Sequence, residues 1–306
     1  MLNTAYRYFY AIAEERSLRR AAERVHISAS ALSRQVRLLE DEFGLKLIEN
    51  HGRCIVLTSA GNILREHIRQ LMVQDANVKE EIRASTGVQF GHVRVGSGYG
   101  YASDLANLVI PEFCKFHPQM TFSINIGNGD SILRMVIDEI VDLGITLNPP
   151  QHHLIDVLHS SPSPLLVIVP AGHPLAEMES LALPDLQPFP IALLPPQHSV
   201  RRSIKLAEDA EGIRLQEKLE SNSYEVLKSY VRHGLGISIL PEFVVKEDGW
   251  QTTFALVPLR HVLLTGTQSR IIARRGRKFP AAASEFLTSI LERHRAFSSD
   301  SGENLI

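Results

Sequence analysis

Arg34, Gln35 and Arg37 share one short stretch with Ser28, Ser30 and Ser33. A guanidinium presents a planar fork of donors that matches a guanine edge, and serines are short enough to meet phosphate or base edges. As polar exposed positions of one helix, these side chains have the chemistry of a DNA-groove contact. Other groups offer less. The run His92–Val95 leads into Gly96-Ser97-Gly98-Tyr99-Gly100-Tyr101, a glycine-rich turn whose N–H groups can cradle an anion at a helix start. It departs from a dinucleotide fingerprint, because Tyr101 stands where a third glycine is needed and no acidic ribose partner is evident. His152, His153 and His159 sit near Pro149-Pro150 without a cysteine or a carboxylate cluster, so no metal site is expected. No Gly-x-Ser-x-Gly elbow occurs. Cys54 and Cys114 are too few for a disulfide framework, and Cys114 shares an apolar helix face with Phe113 and Phe116. Neither a catalytic constellation nor a cofactor is expected; the chain reads as a non-enzyme.

The candidate DNA contacts need a scaffold. Ser17 caps a helix over Leu18–Val25, with Leu18, Ala21, Ala22 and Val25 on one face. After His26 and Ile27, Ser28 caps a second helix that runs to Phe43 and stops at Gly44, turning Leu32, Val36 and Leu39 inward. Two helices joined so tightly cross steeply, as in a helix-turn-helix whose second helix enters the major groove. Leu45–Ile48 and Cys54–Leu57 flank Glu49-Asn50-His51-Gly52-Arg53, a hairpin wing that puts Arg53 within reach of the minor groove or backbone. Residues 1–61 hold nine Arg or Lys against seven Asp or Glu. Charge alone therefore allows a plain surface hairpin; the placement of the arginines, away from the acids of Glu40–Glu42, favours DNA.

From Thr58 to about Ser85 one long helix is expected. Leu64, Ile68, Leu71, Asp75, Val78 and Ile82 alternate in steps of four and three, a coiled-coil stripe interrupted at Asp75. The stripe needs a partner, either the chain's own core or a second copy. A second copy is favoured because paired reading heads multiply affinity on two half-sites. Beyond Gly91, strands are expected at Val93–Val95, Thr121–Ile126, Asp142–Thr146, Leu165–Val169, Ile191–Leu194, Ile237–Leu240 and Arg270–Ala273. Helices are expected at Asp104–Phe116, Ile132–Glu139, Val200–Ala210, Tyr224–Arg232 and Ala281–His294. That alternation means parallel-rich sheets covered by helices, divided into two subdomains. The whole chain has 306 residues, 44% hydrophobic, with net charge −2. Neither an export signal nor a span through lipid is evident, and a cytoplasmic protein without membrane contact is expected.

The segment Ser17–Ser28, then Ser30-Ala31-Leu32-Ser33-Arg34-Gln35-Val36, Leu39-Glu40, Gly44, Leu47 and Leu57-Thr58-Ser59-Ala60-Gly61 resembles the LysR-type transcriptional regulators. Arg16 and Leu18 replace the usual Gly and Phe, and Ile48 and Asn50 stand where the wing usually reads Phe-x-Arg. Ala29 stands where many members carry a base-reading glutamine and joins the DNA-contact set. The resemblance extends through the turn at Ser97, Asp142–Thr146, Val169–Ala176 and Gly234–Pro241. It implies a winged helix-turn-helix over 1–58, a linker and dimerisation helix over 59–90, and an α/β effector domain over 91–306 like the periplasmic binding proteins. Lobe 1 would take about 91–160 and 266–295, and lobe 2 about 161–265. Effector contacts would fall on Ser97, Tyr99, Gly100, Tyr101, Asn128, Thr146, His198, Ser199 and Tyr224. The implied partners are double-stranded operator DNA, a small-molecule effector, further copies of the chain as dimer or tetramer, and RNA polymerase. The competing reading is a small-molecule-binding α/β protein or enzyme with a helical appendage and no DNA activity.

Overall fold

The computed structural model describes residues 3–51, 54–84, 91–246, 249–277 and 279–298. Contacts divide the chain into Met1–Val88 and Gln89–Ile306. The first unit holds α1 (Thr4–Glu15), α2 (Leu18–Arg24), α3 (Ala29–Phe43), the hairpin of β1 (Ile48–His51) and β2 (Cys54–Leu57), and α4 (Ser59–Ala84). Helix α1 adds to the expected pair; the Asn3 side chain caps it by accepting from Ala5 N at 3.0 Å. It ends at Arg16, whose φ of 49° is left-handed. Ser17 and Ser28 cap α2 and α3, and Gly44 ends α3 at φ 66°. Ile12, Ala21, Ala22, Leu32, Val36 and Ile55 form the core that clamps these helices.

Helix α4 begins where Thr58 Oγ1 accepts from Gly61 N at 3.0 Å and donates to the Lys46 carbonyl at 2.7 Å. A side chain at position 61 would meet the Leu47 carbonyl oxygen at 2.0 Å, so only glycine lets the helix start this close to the wing. The expected seam must be corrected at its start. Leu64 and Ile68 are buried with Phe9, Leu39 and Leu47, inside this unit's own core. The stripe changes partner along its length: Leu71 is half-buried, whereas Val78 and Ile82 are 52% and 61% exposed.

The second unit runs β3 (Gly91–Gly98), α5 (Ala102–Asp104), α6 (Ile110–Phe116), β4 (Met120–Gly127), α7 (Gly129–Ile137), β5 (Leu143–Leu147), β6 (Ile155–Pro162) and β7 (Leu165–Pro170). It continues with β8 (Pro190–Leu193), α8 (Ser199–Glu211), β9 (Gln216–Glu220), α9 (Tyr224–Arg232), β10 (Ile237–Pro241) and α10 (Glu242–Val245). The last elements are β11 (Phe254–Pro258), α11 (Val262–Thr265), β12 (Gln268–Arg274) and α12 (Ala281–Arg293). One sheet is ordered β4-β3-β5-β12-β6 and the other β11-β7-β10-β8-β9. Strands β3, β4 and β5 run parallel, and β12 returns antiparallel to β5 and β6. Crossing the lobes, the chain passes through buried Ser163 and Thr267, where Ser163 N donates to the Thr267 carbonyl at 2.9 Å and the Thr267 hydroxyl donates back to the Ser163 carbonyl. Parallel strands open their carboxyl ends toward the gap between lobes, where ligands sit in such sheets.

Candidate functional site

The first unit displays a cationic helix face. Leu32, Val36 and Leu39 anchor α3, which leaves Ser28, Ala29, Ser30, Arg34 and Arg37 exposed and Ser33 and Gln35 half-buried. The Ser28 hydroxyl caps the helix, accepting from Ala31 N at 3.2 Å beside the Ser30 hydroxyl at 3.1 Å. On α2 three arginines share two carboxylates: Arg19 pairs with Glu23 at 3.1 Å, and Glu15 takes Arg24 at 3.1 Å and Arg20 at 3.8 Å. Among the described residues, Arg34 and Arg37 have no such carboxylate partner. Arg53 lies outside the described residues.

Glu40 belongs to the scaffold rather than to an acidic surface cluster. Its side chain is 7% exposed; it accepts from Leu47 N at 2.9 Å and Ile48 N at 3.4 Å, and takes Lys46 Nζ at 2.8 Å. Burial pushes its carboxyl upward, but these donors outweigh burial and hold it below the ordinary carboxylate value. The residue ties the end of α3 to the entry of the wing. A Glu in a run of acids carries no sequence signal for that role.

Between the lobes, the carboxyl ends of β3, β4 and β5 face α8 and α9 across a cavity of about 20 Å³, room for one water. Tyr99, Gly100, Tyr101, Asn128, Thr146, His198, Ser199 and Tyr224 all line it. Ser97 does not and is corrected: it is fully buried in β3, and its hydroxyl donates to the Gly98 carbonyl at 3.0 Å. Tyr101 serves as a wall. Its hydroxyl is engaged by Ser269 at 2.8 Å and its ring stacks on Phe243 at 4.8 Å, so it offers a ring face rather than a hydrogen bond. Phe243, from α10, is a lining residue that an apolar run after Pro241 does not distinguish from core.

Besides the Tyr101–Phe243 stack, an ion pair and a second ring contact join the lobes beside the small cavity. Asp130 at the start of α7 takes Arg202 of α8 at 2.7 Å, and Tyr99 packs on His198 with ring centroids 4.8 Å apart. Asn128 caps α7 by accepting from Ser131 N at 2.9 Å, and a side chain at Gly129 would press Thr146 Oγ1 at 3.1 Å. Burial, and then the Arg202 guanidinium, hold His198 below the ordinary imidazole range, so its neutral ring presents one donor and one acceptor. Burial pushes the Tyr224 hydroxyl far above the usual phenol range and keeps it protonated. The small cavity shares Tyr99, Gly100, Tyr224 and Phe243 with a wider one of about 640 Å³ that opens beside Asn107, Ile126 and Lys228. Lys228 is 2% exposed and paired with Glu225 at 2.6 Å. Among the described residues, no three His, Cys, Asp or Glu side chains gather as a metal-binding group, and no helix is long and apolar enough to cross a membrane.

Comparison with known proteins points one way for both units. The model of the LysR substrate binding domain matches residues 86–295, and that of the bacterial regulatory helix-turn-helix protein, lysR family, matches residues 4–62. The RuBisCO operon transcriptional regulator of Allochromatium vinosum is 29% identical over 291 residues, 93% of this chain and 94% of that one. The HTH-type transcriptional regulator CysB of Haemophilus influenzae is 30% identical over 246 residues, 79% and 75% of the two chains. Among solved structures, a full-length OxyR variant from Pseudomonas aeruginosa matches with TM-score 0.69 at 25% identity, covering 95% of this chain and 94% of that one. CbnR complexed with its target DNA shares the fold at TM-score 0.53 and 21% identity, covering 95% and 98%.

Proposed function

The chain belongs to the LysR family of DNA-binding transcription regulators, and on that premise we propose how its own residues divide the work. Arg34 and Arg37 enter the major groove from the exposed side of α3, with Ser28, Ala29 and Ser30 at its start, Ser33 and Gln35 on its two flanks and Arg53 at the wing. The observation that carries this reading is the contrast in pairing. Arginines on α2 have carboxylate partners, whereas Arg34 and Arg37 are exposed with none among the described residues, so a polyanion has no partner to displace there. Two copies associate through Leu71, Val78 and Ile82 of α4, which brings two α3 helices to a two-fold operator in the cytoplasm. RNA polymerase is the onward partner of that complex. We assign the chain no catalytic step and no cofactor.

Regulation is proposed at the inter-lobe cleft. The gap of about 20 Å³ is too small for a metabolite, so the lobes must part at Asp130–Arg202 and Tyr99–His198 before an effector reaches Asn128, Thr146 and Ser199, whereas Tyr224 already lines the wider cavity beside it. An effector that prefers the open arrangement shifts the population toward it.

Titration of the full chain onto labelled genomic fragments at two salt concentrations tests the DNA assignment. A preferred fragment with approximate two-fold symmetry should emerge, and affinity should fall as salt rises. Arg34→Ala should cost about 1–3 kcal/mol and relax base preference. Unchanged selectivity in that variant defeats the role given to Arg34.

A further inference from the structure

The loop from β5 to β6 and strand β12 enclose a pocket of about 350 Å³, separate from the cleft. Its walls are chemically one-sided. Pro149, Ile155, Val157 and Ile272 make the apolar part, while Arg270, Arg275, His152 and Gln151 supply polar atoms; no carboxylate lines it. Arg275 is engaged, with Nε on Asp156 at 2.8 Å. Arg270 is different. One Nη donates to Gln268 Oε1 at 3.1 Å, but Nε is buried without a hydrogen bond, and no carboxylate pairs with the guanidinium among the described residues.

A guanidinium cannot escape this position by losing its proton. The buried Nε is out of reach of solvent, but Arg270 also lines the pocket, and a guanidinium with no carboxylate partner favours an anion that enters there. His152 adds a second donor. Its Nδ1 accepts from Leu154 N at 3.2 Å, which leaves the ring proton on Nε2. The loop bearing it is pinned where Asn148, left-handed at φ 42°, accepts from Gln268 N at 2.8 Å and donates its own N–H to the Gln268 carbonyl at 2.9 Å. The volume lies within the range of about 300–1,000 Å³ typical of small-molecule pockets.

We propose that this pocket is a second ligand site, which takes a small organic anion, carboxylate or phosphate, through Arg270, with its apolar body against Val157 and Ile272. The site is joined to the cleft by one ladder. Arg270 lies directly opposite Thr146 across the antiparallel pair β12–β5, and Thr146 lines the small cavity between the lobes.

Calorimetric titration of the full chain with benzoate and, separately, with inorganic phosphate at constant ionic strength tests the proposal. At least one anion should bind once per chain. Arg270→Gln should weaken that binding at least about tenfold, with part of the loss recovered in Arg270→Lys. Asn128→Ala, in the cleft, should leave it unchanged. Benzoate alone binding assigns the site to carboxylates, and phosphate alone assigns it to phosphoryl groups. Gln151→Trp alters an exposed loop residue at the rim, keeps both strands intact, and should also weaken binding, which covers the case of an Arg270→Gln chain that does not fold. Failure of both anions to bind at millimolar concentration overturns the proposal. So does undiminished affinity in Arg270→Gln or Gln151→Trp, or loss of binding in Asn128→Ala.

Discussion

Ile68→Ala and Val78→Asp perturb opposite uses of one helix. Ile68 is wholly buried against Phe9, Leu39, Leu47 and Leu64. Removal of three carbons from that site forfeits about 2.5 kcal/mol of transfer free energy at roughly 0.8 kcal/mol per methylene. The cavity left behind raises the cost to about 3–4 kcal/mol. For a unit of this size, that lowers the unfolding midpoint by roughly 12–32 °C. Val78 is half exposed, so an aspartate there leaves packing within the unit intact while placing charge on the face assigned to a second copy. Differential scanning calorimetry at two protein concentrations, paired with sedimentation velocity, reads both effects. Ile68→Ala should lower the first unit's midpoint equally at both concentrations and keep the wild-type sedimentation coefficient. Val78→Asp should sediment more slowly. The reasoning fails if Ile68→Ala melts like the wild type yet sediments as a smaller species.

Two further changes follow from the same unit. Arg16 holds a left-handed backbone at φ 49° where a side chain costs about 1–2 kcal/mol, so Arg16→Gly should stabilise the unit by about 0.5–1 kcal/mol after the added freedom of the unfolded chain is subtracted, measured by urea titration. Glu40 is held below its ordinary value of 4.5, so its contribution is complete above that pH and is lost as pH falls through the lower folded value. Acid unfolding followed by circular dichroism should show that loss, and Glu40→Gln should flatten the dependence.

The reading helix was legible because every signal for it is local. Ser28 and Gly44 mark its ends, and the spacing of Leu32, Val36 and Leu39 gives its buried face. Central strands such as Leu165–Pro170 show as unbroken apolar runs because both faces are covered. Strands β6, β9 and β11 are not revealed by the sequence pattern, and all three are sheet edges. An edge strand has one neighbour and exposed side chains; Gln216–Glu220 is polar throughout except for Leu219. The stripe on α4 was equally visible, yet a spacing of fours and threes does not say which surface covers it. Ser97 illustrates the same limit in the cleft: the alternation of β3 decides whether a hydroxyl faces the gap or the interior, and here it turns inward.

The foot of α4 lies in the same packed interior as Leu39 of α3. Shaft and reading head therefore form a single lever without a joint between them. A twist applied beyond Leu71 arrives at Arg34 undamped, because no loop intervenes to absorb it. One residue inserted just after Leu71 would turn the outer shaft by about 100° against the head, and so re-aim both arginines on DNA while every side chain that touches it stays the same.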